Sequence, residues 1–562
     1  MRQYSMAERD RYAPREWLPH ERPTLPGSAS TPLHAPLRRV QYGVIGVIVA
    51  LTGGLSNALV TANLPYLQGA LGAYAWEMAW LPAAFVMTNA SANLLLVKFR
   101  QQFGLRLFTE IFLGLYVLAT AAHLFVNDLH SAIAVRAAHG LVGAALSSLG
   151  IYYMIQAFPA VHRLKALVIG LGLSQLALPL ARVFSNRLLE FGEWRGLYLF
   201  ELGLGVVSLA CVLMLKLPPS DRIRVFEKLD FLTFMLFASG AAGLAAVLSL
   251  GRYLWWTDTP WLGVTLACSI ALLAAATLVE HRRQRPMINT RWLANGDMLR
   301  LAASIVLIRI ALSEQGVGAV GFLQQLGMSN EQTHTLFLVV LLGTVLGIVA
   351  SAVLLTRENL PYHLVASLAM VAVGAFMDAG ATSLTRPEEM YFSQFLIGFG
   401  SILFLAPALL MGFGKVVTEP RNLISFIVLF GMSQNMGGLF GSAFLGTLQI
   451  WREKFHSSQL VEHLVLTDPQ VAARVQAYAA AYAHSVADPA QRQALALKQL
   501  AAVATREANV LAYNDVFLVI GWLALATLAW MLFHLLRIRW KRRLPDAPAA
   551  STATANAAAS TA

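Results

Sequence analysis

The chain has 562 residues, of which 57% are hydrophobic and only 13% charged, and its formal net charge is +12. A soluble domain runs closer to half apolar and a quarter charged, so a chain of this size and composition lacks the polar surface to stay in water. Its Lys and Arg lie in short segments between apolar blocks rather than on a basic face with interleaved aromatics, so orientation in a membrane accounts for the charge and nucleic-acid binding does not.

Residues 1–40 are rich in Arg and Pro and lack an apolar h-region, so they read as a cytoplasmic disordered tail and not a cleaved signal peptide. Blocks long enough to cross a hydrocarbon core roughly 30 Å thick then predict helices near 41–63, 76–97, 105–126, 131–155, 164–188, 195–216 and 229–250. Seven more follow near 260–280, 299–323, 333–355, 361–381, 391–412, 423–450 and 514–536. The fold class expected is all-α integral membrane with 14 transmembrane helices. An even count puts both termini on one side. Placed inside, the N-terminus leaves 28 Lys/Arg in inner segments, while the short outer loops hold Arg187, Arg195, Arg252 and Arg386 only. A missed helix would scramble that alternation from its position onward.

One outer segment is long. Residues 451–513 are polar and Ala/Gln-rich, with breakers at Asp468-Pro469 and Asp488-Pro489, and predict a small helical hairpin. Its histidines, His456, His463 and His484, have no metal-site spacing, and Cys211 and Cys268 sit separately inside apolar blocks. The Ala/Ser/Thr stretch that ends the chain reads as disordered, within a second cytoplasmic tail at 541–562.

Several motifs resemble the major facilitator superfamily, and within it the fourteen-helix drug:proton antiporters of the EmrB/QacA type. Arg136-Ala-Ala-His-Gly140-Leu-Val-Gly143 resembles RxxQGxG, with Gly140 and Gly143 suited to close helix approach. Glu193-Trp194-Arg195 is similar to the WRW turn before the sixth span. Leu229-Asp230 and His281-Arg-Arg-Gln-Arg-Pro286 match an extra central helix pair. Ser433-Gln-Asn435-Met-Gly437-Gly438-Leu-Phe-Gly441 resembles the glycine-rich thirteenth helix, and Phe455-His456 and Leu511-Ala-Tyr-Asn-Asp515 follow in the order typical of EmrB-like chains. The resemblance divides the chain into an N-terminal six-helix bundle (41–216), the added pair (229–280) and a C-terminal six-helix bundle (299–540).

The departures are specific. Where LDxTxxNxxxP carries an Asp, this chain has Leu55-Ser56-Asn57. The loop that usually reads GxLxDRxGRR keeps Lys98, Arg100, Gly104 and Arg106 but not the acid. The fifth-helix Gly-Pro motif is reduced to Pro179, with Arg182 about where the motif proline would stand.

An ionisable side chain inside a span is costly to bury and is a functional candidate by default. Arg136, Arg182 and Glu201 all fall roughly 8–9 Å below the outer face at 1.5 Å per residue, and Arg182 and Glu201 lie on consecutive helices. Together they read either as a static pair or as a site for which proton or substrate competes. Glu314 is a second candidate proton carrier. Arg309 lies five residues before it, on another face, and needs its own partner. Glu110 is near an inner end, where it can snorkel. Glycines from Gly431 to Gly446, including Gly437, Gly438 and Gly441, read as packing or hinge positions. Trp76, Trp80, Trp255, Trp256 and Trp261 form an interfacial belt.

No Walker A sequence, HExxH or nucleophile elbow is present, so no enzyme, metal or cofactor is expected. The resemblance implies a secondary transporter that exports amphiphilic or aromatic compounds by proton antiport. It further implies a bacterial inner membrane, a periplasmic adaptor (membrane fusion protein) on the outer loop, and an outer-membrane channel beyond. Uptake or uncoupled passage, and a non-transporting membrane sensor or scaffold, are the alternatives.

Overall fold

A computed structural model of the chain describes residues 27–356 and 358–543, together with Leu18, Glu21 and Pro23. The end of the expected tail at 544–562 and most of residues 1–26 lie outside the described residues. The part of the first tail that is described, from Gly27, is not loose. Ala29 is buried, the Ser30 amide donates to the Pro219 carbonyl at 2.9 Å, and Gln156 Nε2 donates to the Ser30 carbonyl at 3.0 Å. The expectation of a disordered 1–40 is corrected there: a backbone that finds hydrogen-bond partners in the bundle is held by them.

Thirteen helical runs among the described residues are long and apolar enough to cross a membrane. Four open the chain: α1 (Pro36–Ala62), α2 (Ala75–Phe103), α3 (Leu105–Phe125) and α4 (Leu129–Ala157). The fifth, Ala160–Met214, is 55 residues long, far more than one crossing requires. It leaves helical geometry at Gly192 and at Glu193, whose φ is 50°. The chain doubles back there. A Cβ on Gly196 would meet the Leu188 carbonyl at 2.0 Å, and the Phe184 and Phe200 rings lie 6.2 Å apart. Its limbs are α5 (160–191) and α6 (194–214), and the count of fourteen spans rests on reading them separately.

The remaining runs are α7 (Lys228–Leu254), α8 (Pro260–Arg282), α9 (Gly296–Gln325), α10 (His334–Leu354), α11 (Leu360–Asp378), α12 (Pro387–Thr418), α13 (Pro420–Glu462) and α14 (Pro489–Arg543). Two cores result. One gathers Tyr42, Val49, Phe108, Tyr116 and Leu146 from α1, α3 and α4; the other gathers Ile305, Leu368, Phe404, Phe426 and Ile520 from α9 and α11–α14. The pair α7 and α8 packs closely because Gly240 and Gly243 face Ser269, and α7 lies against both α2 and α13, at the seam between the halves.

The halves meet at both ends. At the Lys/Arg-rich end Val168 packs with Ala352, Leu355 and Ala406, and at the opposite end Val183 packs with Val320, Phe337 and Val340.

The segment 451–513 is helical as expected, and its Asp-Pro pairs start helices rather than only stopping them. Asp468 caps Pro469–Ala481 through the Gln470 amide at 2.8 Å, and Asp488 accepts from the Ala490 amide at 3.0 Å where α14 begins. Proline at the first helical position gives up no hydrogen bond that the helix needs. Between α13 and α14, Asp515 accepts from Arg452 and His456, both at 2.6 Å, and Gln449 donates to Asn509 at 2.7 Å.

Candidate functional site

The N-terminal half holds a buried polar chain built from α1, α3, α4 and α6. Its position follows from one glycine. A Cβ on Gly140 would lie 2.2 Å from the Phe85 carbonyl oxygen, so α4 can approach α2 this closely only without a side chain there. Thr88 Oγ1 then donates to the Ala137 carbonyl at 2.7 Å, which sets the height of α4. Gly143 differs, because a Cβ there would make only ordinary contact with the Phe85 ring at 3.4 Å.

One turn earlier, Arg136 is fully buried over the Phe85 ring, 4.7 Å from its centre. Its guanidinium donates to the Ser56 carbonyl at 2.8 Å and to Asn57 Oδ1 at 2.6 Å. It thus finds neutral oxygens on the part of α1 where the resembling family carries an acid. Its Nη1 also lies 3.4 Å from His139 Nδ1. Since an arginine only donates, that ring nitrogen accepts, and Nε2 carries the proton. Nε2 faces Glu201 Oε1 at 3.2 Å and Thr120 Oγ1 at 3.2 Å. Tyr116 completes the chain by donating to Glu201 Oε1 at 2.8 Å. His123 adds a second imidazole 5.0 Å from the His139 ring, stacked on Tyr198.

The structure therefore brings Arg136 and Glu201 into one network but separates Glu201 from Arg182. The expected Arg182–Glu201 pairing is corrected. Arg182 points the other way, towards α10, where Nη1 donates to Asn330 Oδ1 at 3.0 Å and the guanidinium lies 4.9 Å from the Phe337 ring centre. Asn330 in turn donates to the Ala62 carbonyl at 3.0 Å. Consecutive helices share depth, but helix phase decides which face each side chain takes. Pro179 has no N–H to offer the carbonyl four residues earlier, and the regular helix is interrupted between Arg163–Gln175 and Ala177–Met214, at Leu176.

Glu314 lies at a π-helical turn, Glu314–Ala319, and Gln394 Nε2 reaches its two oxygens at 3.0 and 3.1 Å and Asp378 Oδ2 at 2.9 Å. The three side chains form a second buried cluster, on α9, α11 and α12. Glu110 pairs with Lys216 at 2.7 Å near its helix end, in line with snorkelling. Gly437, Gly438 and Gly441 all face α9; a Cβ on them would meet Arg309 at 3.0 and 2.9 Å and Ser313 Oγ at 2.3 Å.

Three of the four loop residues meet the strap that leads into α7, or its first turn. Lys98 pairs with Asp230 at 2.5 Å, Arg106 donates to the Leu217 carbonyl at 2.7 Å, and Gly104, with φ at +86°, lies against Arg222. Arg100 instead donates to Ser148 of α4 at 2.9 Å. Asp230 supplies from α7 the carboxylate that the loop itself lacks. Arg283 joins it, donating to Glu280 at 2.6 Å, Glu227 at 2.8 Å and Asp230 at 2.9 Å. Burial works against the Arg283 charge, but its hydrogen bonds to Glu280, then Glu227 and Asp230, outweigh it and raise the guanidinium above its ordinary value.

Sequence reasoning did not single out Tyr116, His139, Asn330 or Gln394. His139 was within reach, because it stands inside the Arg136–Gly143 motif where the glutamine of RxxQGxG belongs. The other three are polar residues in apolar surroundings with no spacing that marks them.

The model of the Major Facilitator Superfamily matches residues 46–286. MFS-type transporter calB of Penicillium decumbens is 25% identical over 226 residues, 38% of this chain and 40% of that protein. EmrY of Escherichia coli, named a probable multidrug resistance protein, is 23% identical over 237 residues, 42% of this chain and 46% of that one. The chain thus spans less than half the length of each of these relatives. Among solved structures, a bacterial homologue of the human drug peptide transporters PepT1 and PepT2 superposes with a TM-score of 0.52 at 14% identity, covering 90% of this chain and 99% of that one, which shows a shared fold. The family model over residues 46–286, the all-helical fold and the Arg136–Gly143 motif agree in their similarity to the major facilitator superfamily, and the relatives matched include multidrug resistance proteins such as EmrY.

Proposed function

We propose that the chain is a proton-driven exporter of small amphiphilic or aromatic compounds in a bacterial inner membrane, with both termini cytoplasmic. The observation that carries this reading is the hydrogen-bonded chain from Asn57 through Arg136, His139 and Glu201 to Tyr116. It ties α1, α3, α4 and α6 to one carboxyl group, so adding a proton to Glu201 changes which of these helices that group holds. Such a group, biased by a ligand and placed between helices that must repack, couples an ion gradient to alternating access. With no nucleotide motif in the chain, the gradient is the source of energy.

The α13–α14 extension is larger than any turn requires. Its base is tied by Asp515 to Arg452 and His456, and it is the surface on which a periplasmic adaptor would dock and lead to an outer-membrane channel.

Proteoliposomes with an imposed pH difference test the transport reading. Wild type moves an aromatic fluorophore against its gradient, and Glu201→Gln equilibrates it without accumulation. Uphill export by Glu201→Gln at the wild-type rate would place the coupling acid elsewhere, with Glu314 next. Movement only down the gradient by wild type would support the uncoupled alternative.

A further inference from the structure

Before α1 begins, residues 27–35 cross the Lys/Arg-rich end of the N-terminal half and close a small cleft there. The segment is held by the Ser30 contacts to Pro219 and Gln156 given above, and by Arg163, which donates to Thr31 Oγ1. His34 Nε2 lies 3.0 Å from Gln156 Oε1 and donates to it, since the amide nitrogen of Gln156 is already turned to Ser30. The cleft measures about 40 Å³, and its walls include Thr31, Leu33, His34, Arg39, Gln156 and Arg163. Drug-sized ligands need roughly 300–1,000 Å³, and one water about 10–15 Å³. The space therefore suits a few polar atoms and excludes a transported solute.

Its polar walls differ in what they have left to offer. Gln156 and His34 are engaged with each other and with Ser30. Arg163 has the Thr31 bond and further N–H groups besides, and Arg39 makes no side-chain hydrogen bond or ion pair among the described residues. Burial, opposed by the Gln156 bond, and then the charges of Arg38 and Arg39 hold the His34 imidazole below its ordinary value, so both guanidinium groups act on the cleft. The level of the cleft is that of lipid headgroups. Arg39, Gln156 and Arg163 stand one or two residues outside the apolar blocks 41–63, 131–155 and 164–188. Apolar side chains lie beside them without cover: Leu33, on the wall of the cleft, is 74% exposed, and Val161, next to the wall residue Ala160, is 86% exposed. Leu37 and Val40 continue this exposed face along α1. Such surface is unfavourable against water and neutral against acyl chains.

We infer that this cleft binds the headgroup phosphate of an anionic phospholipid between Arg39 and Arg163, with the lipid chains lying against Leu33, Leu37 and Val40. Arginine suits the role, because its planar fork meets two phosphate oxygens at once and keeps its charge at the membrane surface. Arg38 adds attraction for a lipid of net negative charge. The bound lipid would join the start of α1 to the start of α5 and hold 27–35 in place over both. If both termini are cytoplasmic, as proposed above, the lipid comes from the inner leaflet; binding itself depends neither on that orientation nor on transport.

The test is lipid titration of the full-length protein in detergent, followed by native mass spectrometry, which requires no gradient. The probes are phosphatidylglycerol, phosphatidylcholine with the same acyl chains, and glycerol 3-phosphate. Wild type is expected to bind the first phosphatidylglycerol more tightly than either of the others. Arg39→Gln and Arg163→Gln should each weaken that binding about tenfold or more, the usual worth of a hydrogen bond to a charged group, and leave phosphatidylcholine binding unchanged, which reports an intact fold. Arg39→Lys keeps the charge but not the fork and should fall between wild type and Arg39→Gln. Arg421→Gln, which removes an exposed arginine at the same end of the other half, should have no effect. Phosphatidylglycerol binding that survives both cleft substitutions overturns the proposal. An equal loss in Arg421→Gln also overturns it, in favour of diffuse surface charge, and so does equally tight binding of glycerol 3-phosphate, in favour of a water-soluble anion.

Discussion

His139 Nε2 lies 3.2 Å from Glu201 Oε1, while the other ring nitrogen accepts from Arg136 at 3.4 Å. One imidazole therefore stands between the only guanidinium and the only carboxyl group of this network. Replacing it with a side chain that cannot bridge both, as in His139→Leu, should reduce pH-driven accumulation by about tenfold or more, the scale of a lost positioned proton-transfer group. Substrate counterflow without a pH difference should persist. Equal loss of both activities would make His139 a packing residue and nothing more.

The Arg182–Asn330 contact joins the two halves, so its loss should show as stability and not as lost coupling. Arg182→Ala and Asn330→Ala should each lower stability by about 1–3 kcal/mol, the range for a buried hydrogen-bonded polar group left unpaired. A double-mutant cycle, read by thermal unfolding in detergent, should give a favourable coupling for this pair and none for Arg182 with Glu201. Coupling between Arg182 and Glu201 comparable to that with Asn330 would contradict the geometry.

Gly140 and Gly143 make a matched comparison. Gly140→Ala forces a methyl group against the Phe85 backbone, which cannot yield as a side-chain tip can, and should cost about 1–3 kcal/mol, as overpacking does. It should also displace Arg136 and reduce transport. Gly143→Ala enters ordinary contact and should fall within experimental error on both counts.

The long extension supplies a test of topology and of docking. A cysteine at Ser485 should react with an impermeant reagent added outside intact cells, and one at Lys228 only after permeabilisation. Labelling of both from one side would overturn the orientation. Deleting 460–505 should abolish resistance in cells while transport in proteoliposomes stays largely intact, because the Gln449–Asn509 and Asp515 contacts lie outside the deletion and keep α13 and α14 together. Equal loss in both assays would assign the extension to the transport core.

Much of this protein was settled by its sequence. Apolar blocks of membrane length placed the helices, because backbone in lipid must bond to itself and only helices of that length both satisfy it and span. Asp468-Pro469 and Asp488-Pro489 bounded the outer helices through local capping, and Arg136, Glu201 and Glu314 stood out by the cost of burying charge. Partner choice was a different matter. Depth along the chain put Arg182 level with Glu201, yet the two side chains take different faces, one meeting Asn330 and the other His139 and Tyr116. Asp230 likewise became the acid for Lys98 only once α7 lay against α2. Hydrogen bonds form across helix faces, over separations in sequence of 48 to 148 residues at Arg100–Ser148 and Arg182–Asn330. A helix's phase and neighbours are set by packing of the whole bundle, so no local pattern in the sequence records them.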